Sequence, residues 1–107
     1  MIADLKQKLR EIFGEQIVFN KSFSNYASTI KNLDVNIVNW CIAVRDGEIK
    51  AIPPKYSKDE LVFIKKIGSS NRCIIIKIKN GEFKEIHLGD HDYYDDLRRK
   101  LGLKQDS

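Results

Sequence analysis

Residues 72–88 read Arg-Cys-Ile-Ile-Ile-Lys-Ile-Lys-Asn-Gly-Glu-Phe-Lys-Glu-Ile-His-Leu, and this stretch decides the fold. Its first half is dense in β-branched residues, which suit a pleated, buried surface. Asn80-Gly81 follows, the strongest short hairpin signal, since both residues tolerate positive φ. The spacing predicts a strand over residues 72–79, a two-residue turn at Asn80-Gly81 and a partner strand over residues 82–88. A glycine at the second turn position then predicts that a β-branched replacement of Gly81 is destabilising.

Outward from the hairpin the pattern stays simple. Residues 61–67 are apolar around Lys65 and Lys66 and predict a third strand, joined through the Gly-Ser-Ser-Asn turn at 68–71. Beyond the hairpin, residues 92–101 predict a closing helix ended by Gly102. Asp95 and Asp96 come early in it and Arg98, Arg99 and Lys100 late, as the helix dipole favours. The Ile-Pro-Pro-Lys-Tyr run at 52–56 cannot be regular in its middle and reads as a surface loop.

The N-terminal half is helical in period. Ile2, Leu5, Leu9, Ile12 and Phe13 share one face, and Gly14 stops that helix. Residues 16–20 carry Ile17, Val18 and Phe19, a short strand candidate. Phe23, Tyr26, Ile30 and Leu33 recur at helical spacing after Ser22, a plausible N-cap. Asp34 can cap a further helix that carries Val35, Val38, Cys41 and Ile42 and ends at Asp46-Gly47. Phe23, Tyr26 and Trp40 read as core. The order is helix, strand, helical hairpin, a three-strand antiparallel meander, then a helix. That is an α+β class, with the helices expected on one face of a small antiparallel sheet.

The 107 residues fit one domain, with the helix over residues 1–14 as an N-terminal addition. Hydrophobic residues make up 42% and charged residues 32%, which excludes disorder and leaves no run long enough to span a bilayer. The opening residues mix charge with apolar side chains, unlike a secretory leader, so the expectation is a cytoplasmic protein without a membrane partner. Cys41 and Cys73 lie far apart in apolar segments, without a CxxC partner, and read as small buried hydrophobes. No cofactor is expected. A net charge of +4 tilts the balance toward an anionic partner such as RNA.

Meander geometry brings two chemically useful residues together. Arg72 opens one strand, and the segment ending at His91 closes the next, so both lie at the end of the sheet opposite the Asn80-Gly81 turn. Arginine grips phosphate with a planar fork, and histidine moves protons near neutrality. Lys65 and Lys66 lie across the 68–71 turn, and Tyr93 or Tyr94 can stack on a base. Simpler readings stand beside these. Asp90 or Asp92 can cap the closing helix with His91 as a bystander. His87, His91, Asp90 and Asp92 can be weighed as metal ligands, though without cysteine or a helical frame. Lys77, Lys79 and Lys84 can be the solvated face of the hairpin.

Three stretches resemble the RelE/ParE superfamily of toxin–antitoxin toxins, in its YafQ-like branch. They are the proline loop with its continuation at 52–61, the arginine-led strand at 72–78, and Leu88-Gly89-Asp90-His91 followed by Tyr93 and Tyr94. The resemblance covers roughly residues 16–97. It implies a RelE-like fold and a toxin of a type II pair. The activity implied is that of an mRNA-cleaving endoribonuclease, ribosome-dependent and held by a small antitoxin protein. The implied site is Arg72 on the scissile phosphate, His91 as proton donor to the leaving 5′-oxygen, and Lys66 beside them. Lys65, Lys77, Tyr93 and Tyr94 would contact RNA. Where the branch has a second histidine in the proline loop, this chain has Asp59 or Glu60, so Asp59 is the candidate to accept the 2′-OH proton. That replacement also favours two alternatives: a non-catalytic protein of the same fold that binds another protein, as ParE-type toxins do, or a small basic nucleic-acid-binding module.

Overall fold

Cys73, Ile74, Ile75 and Ile76 are consecutive, apolar and all buried. A strand with one solvated face alternates; one covered on both faces does not. These four residues form the middle of strand β3 (Asn71–Ile78), between β2 (Glu60–Ile67) and β4 (Phe83–Asp90). Both pairings are antiparallel. The structure, a computed structural model, describes residues 2–104. It adds β1 (Val18–Phe19) outside β4, so the sheet order is β1-β4-β3-β2. β1 runs parallel to β4, which makes the sheet mixed rather than wholly antiparallel. The Asn20 side chain prolongs this short pairing: its Nδ2 donates to the Leu88 carbonyl at 3.0 Å, and its Oδ1 accepts from the Leu88 N–H at 3.0 Å.

Four helices complete the described residues: α1 (Ile2–Phe13), α2 (Phe23–Thr29), α3 (Leu33–Arg45) and α4 (His91–Leu101). The expectation that they share one face of the sheet fails. Cys73, Ile75, Phe63, Ile86 and Leu88 pack against α1, α2 and α3. Ile74, Ile76 and Val62 point the other way, against Tyr94 and Leu101 of α4 and against Leu103. Each buried isoleucine contributes roughly 1.5–3 kcal/mol relative to exposure, so neither face of β3 can be left to water. The N-terminal helix is no appendage either, because Leu5, Leu9 and Phe13 lie in the larger core cluster. The side chain of Ile2 lies outside the described residues. Phe23 is fully buried, while Tyr26 and Trp40 pack against this core from partly exposed positions.

Local chemistry sets the ends. Asp90 caps α4 by accepting the Tyr93 N–H at 2.9 Å. Gly102 ends the helix in the left-handed region, at φ 75°. Ser22 stands at the N-cap of α2 without a side-chain cap bond. The cap of α3 is Asn32, left-handed at φ 56°, so Asp34 falls in the first turn rather than at the cap. The proline loop is tied down: Ile52 bridges Val62, and the Tyr56 N–H donates to the Leu101 carbonyl at 3.0 Å. Cys41 and Cys73 are both buried and free, and burial pushes the Cys41 thiol up to about 12. Among the described residues no helix is long and apolar enough to cross a membrane.

The hairpin is present, but its turn has three residues. Ile78 and Glu82 face each other, the Ile78 N–H donating to the Glu82 carbonyl at 2.9 Å, and Lys79, Asn80 and Gly81 form the loop. Only Asn80 has positive φ, at 60°. Gly81 is needed for space instead, since a Cβ there would lie 2.9 Å from Ile78 Cγ2. Lys84 drops out of register between the pairs Ile76↔Glu85 and Lys77↔Phe83, a bulge that absorbs the extra residue. The left-handed cost should therefore appear at Asn80. Asn80→Val is expected to destabilise by roughly 1–2 kcal/mol in urea denaturation, and Asn80→Gly to change stability by less than about 1 kcal/mol. Equal losses for the two variants would show that φ is not what selects this residue.

Candidate functional site

The strand register fixes which residues can meet. Lys66 pairs with Arg72, and Arg72 pairs with Gly89, so the three form one cross-strand row. The next pair outward is Asn71↔Asp90, and His91 follows as the first residue of α4. Arg72, Lys66 and His91 therefore come to the same end of the sheet, beside the 68–71 turn.

Their environments differ. Lys66 is exposed. Arg72 is only 4% exposed. Its Nη1 donates to the Asn71 carbonyl at 3.1 Å, and its guanidinium lies 5.5 Å from the centre of the Tyr94 ring. A desolvated cation–π contact of this kind contributes up to about 2 kcal/mol, which holds the side chain inward. Tyr94 is itself 1% exposed. It packs in the second core and is not available to stack on a base in this arrangement. Gly89 explains why the helix can lie so close. A Cβ there would stand 2.5 Å from the Tyr93 ring, so Tyr93 occupies the space a side chain would need.

His91 is half exposed, and its Nδ1 lies 3.3 Å from Asp95 Oδ2. Asp95 in turn accepts from Arg98 Nε at 3.0 Å. The pairing orients the imidazole and leaves Nε2 as the nitrogen that can face a ligand. The N-cap reading of Asp90 and a chemical role for His91 are thus compatible, since different residues carry them.

A second histidine was weighed in the sequence only as a metal ligand. His87 Nε2 lies 2.7 Å from Glu85 Oε1, and its Nδ1 lies 2.7 Å from the Tyr93 hydroxyl. The simplest assignment has Nε2–H donating to the carboxylate and Nδ1 accepting from the phenol. Burial pushes the Tyr93 phenol above its ordinary range, which keeps that proton in place. Both ring nitrogens of His87 are occupied, so the residue braces Tyr93 against β4. The sequence signal was the alternation Glu85, His87, Gly89, which puts the three on one face of a strand.

Other expected residues lie elsewhere. Asp59 precedes β2, and its carbonyl accepts the Lys79 N–H at 2.7 Å, beside the hairpin turn. Eight steps along β2 separate it from Ile67, about 26 Å of strand. Neither Asp59 nor Glu60, which binds Lys84 at 2.7 Å, can reach a group held between Arg72 and His91. Lys77 is also at the hairpin end, its Nζ donating to the Ile78 carbonyl at 3.1 Å and lying 5.6 Å from the Phe83 ring centre. Lys65 pairs with Cys73 and lies on the face of α1 to α3, the opposite side from Lys66. Among the described residues no group of three or more His, Cys, Asp or Glu side chains is arranged to hold a metal ion.

No protein family, curated protein or solved structure matches the chain.

The Asp95 carboxyl is held below its ordinary value of 3.8, first by the hydrogen bond from Arg98, with the charges of His91, Arg98 and Arg99 adding to it. The folded value lies below the unfolded one. The stabilisation is fully present above the ordinary value and is lost as pH falls through the depressed one. Asp95→Asn should lower the melting temperature near neutrality, and the gap to wild type should close by about pH 2. A gap that does not change with pH would mean that Asp95 acts by shape and not by charge.

Proposed function

We infer that the chain is a toxin of RelE/ParE type that acts on RNA at the end of the sheet marked by Lys66, Arg72 and His91. In this reading it is an mRNA-cleaving endoribonuclease, dependent on the ribosome and neutralised by an antitoxin partner. The observation that carries it is the juxtaposition at one sheet end of an exposed lysine and a half-exposed histidine that a carboxylate holds in orientation. The order of helical hairpin, meander, Leu-Gly-x-His segment and closing helix supports the same fold family.

Within this reading the roles differ from those the resemblance implies. Arg72 is too deeply covered to grip a phosphate directly, so it positions Tyr94 and adds positive potential from beneath. Lys66, exposed in the same row, is the phosphate contact and a source of charge stabilisation for a developing oxyanion. His91 gives the proton on Nε2 to the leaving 5′-oxygen while Asp95 holds the ring through Nδ1, and water takes the proton released by the attacking 2′-OH. Tyr93, half-buried beside Gly89, is the aromatic surface nearest an incoming base. No carboxylate at the hairpin end takes part.

A second reading has a specific observation in its favour. With Asp59 at the other end of the sheet and Arg72 covered by α4, a non-catalytic protein of the same fold needs no acid–base pair. Induced expression beside growth and RNA integrity separates the two. Wild type should arrest growth and cut translated mRNA. His91→Ala should lose about 10²–10⁴-fold in cleavage rate and be nearly silent in growth arrest. Growth arrest without RNA cleavage, unaffected by His91→Ala, would favour the non-catalytic reading.

A further inference from the structure

The face of the sheet under α4 is not filled to its edge. A cavity of about 580 Å³ lies between the proline loop, β2 and the end of α4. Its walls are Ile52, Pro53, Ile64, Tyr94 and Leu103. Packing voids in a small domain rarely exceed a water molecule, whereas small-molecule sites run from about 300 to 1,000 Å³. The walls are fixed rather than loose: Ile52 bridges Val62, and the Lys55 N–H donates to the Gly102 carbonyl at 3.3 Å.

Among the described residues, charge at the mouth is of one sign. Lys55 and Lys104 line this cavity and also an adjoining hollow of about 330 Å³, to which Arg98 and Arg99 contribute. Among the described residues no acidic residue lines either space. Arg98 and Arg99 are already paired, with Asp95 at 3.0 Å and Asp96 at 3.4 Å. Among the described residues no acid pairs with Lys55 or Lys104. An apolar chamber with two lysines at its opening has a definite complement. Apolar surface gains by entering the chamber, and one anionic group gains by meeting the lysines without being desolvated among the aliphatic walls.

We propose that this cavity binds a small amphipathic carboxylate, its apolar body against Ile52, Ile64 and Tyr94 and its head group on Lys55 and Lys104. The site is separate from the His91 end of the sheet. Tyr94 stands between them, lining the cavity while its ring meets the Arg72 guanidinium. The inference therefore goes beyond the RNA-directed reading and does not depend on it.

Decanoate, decanol and decyltrimethylammonium, each below its micellar concentration, test the proposal by calorimetry and by amide chemical-shift mapping on the full chain. Decanoate should bind with saturation, at one site, and shift the amides of Ile64, Leu103 and Lys104. The alcohol should bind about tenfold more weakly, as expected for loss of a charge-assisted hydrogen bond, and the cation more weakly still. The double variant Lys55→Glu/Lys104→Glu changes exposed rim positions only, and its melting temperature serves as a fold control. It should lose decanoate binding by about tenfold or more and reverse the preference toward the cation. Absence of saturable binding, shifts confined to another surface, or a double variant that binds decanoate as wild type does would overturn the proposal. So would an acidic peptide with an apolar anchor that occupies these residues when decanoate does not, or a dimer in sedimentation that covers the cavity.

Discussion

The structure depends on the double-sided burial of β3. Four apolar residues in a row demand cover above and below, and the chain supplies it from two directions. The helices that precede the meander take one face and the helix that follows it takes the other. Once both are placed, the meander's register is fixed, because a slip of one residue would send Ile74 and Ile76 into the larger cluster and Cys73 and Ile75 into the smaller.

The first turn of α4 converts that packing requirement into a chemical environment. Asp90 starts the helix at the last residue of β4, so there is no linker in which the helix could swing away. Gly89 lets the Tyr93 ring sit against the strand, and Glu85 and His87 hold its hydroxyl side. Tyr94 then falls over Arg72 and buries it. The same turn leaves His91 on the outside, where Asp95 one turn later orients it. Burial of the arginine and presentation of the histidine are thus two consequences of one helix start.

Much of this was legible in the residues, and the failures have physical causes. The hairpin and the closing helix were readable from Asn80-Gly81 and from the acid-to-base order of α4. Segregation of helices and strands correctly gave an α+β class. The cover on the second face was also signalled, since residues 73–76 do not alternate, yet helix order alone suggested a single layer. The parallel pairing of β1 was not legible: two residues carry no direction, and the bond that secures them comes from the Asn20 side chain. The turn is one residue longer than Asn80-Gly81 alone predicts because Asn-Gly fits several loops. For the candidate site, strand polarity was the overlooked constraint. A residue that precedes β2 must sit beside the 79–82 turn, so Asp59 could never have shared an end with Arg72. Burial of Arg72 depended on Gly89 and Tyr93 acting together, a long-range contact that no local pattern carries.

The buried arginine and the presented histidine both require α4 to lie against the sheet with its first turn over Arg72 and Gly89. Nuclear Overhauser contacts in solution measure this directly. Contacts are expected from the Tyr93 ring to the Gly89 α-protons, and from the Tyr94 ring to the Arg72 side chain and the Ile64 methyls. A free chain that lacks them, with Ile74 and Ile76 amides exchanging as rapidly as exposed positions, would contradict it.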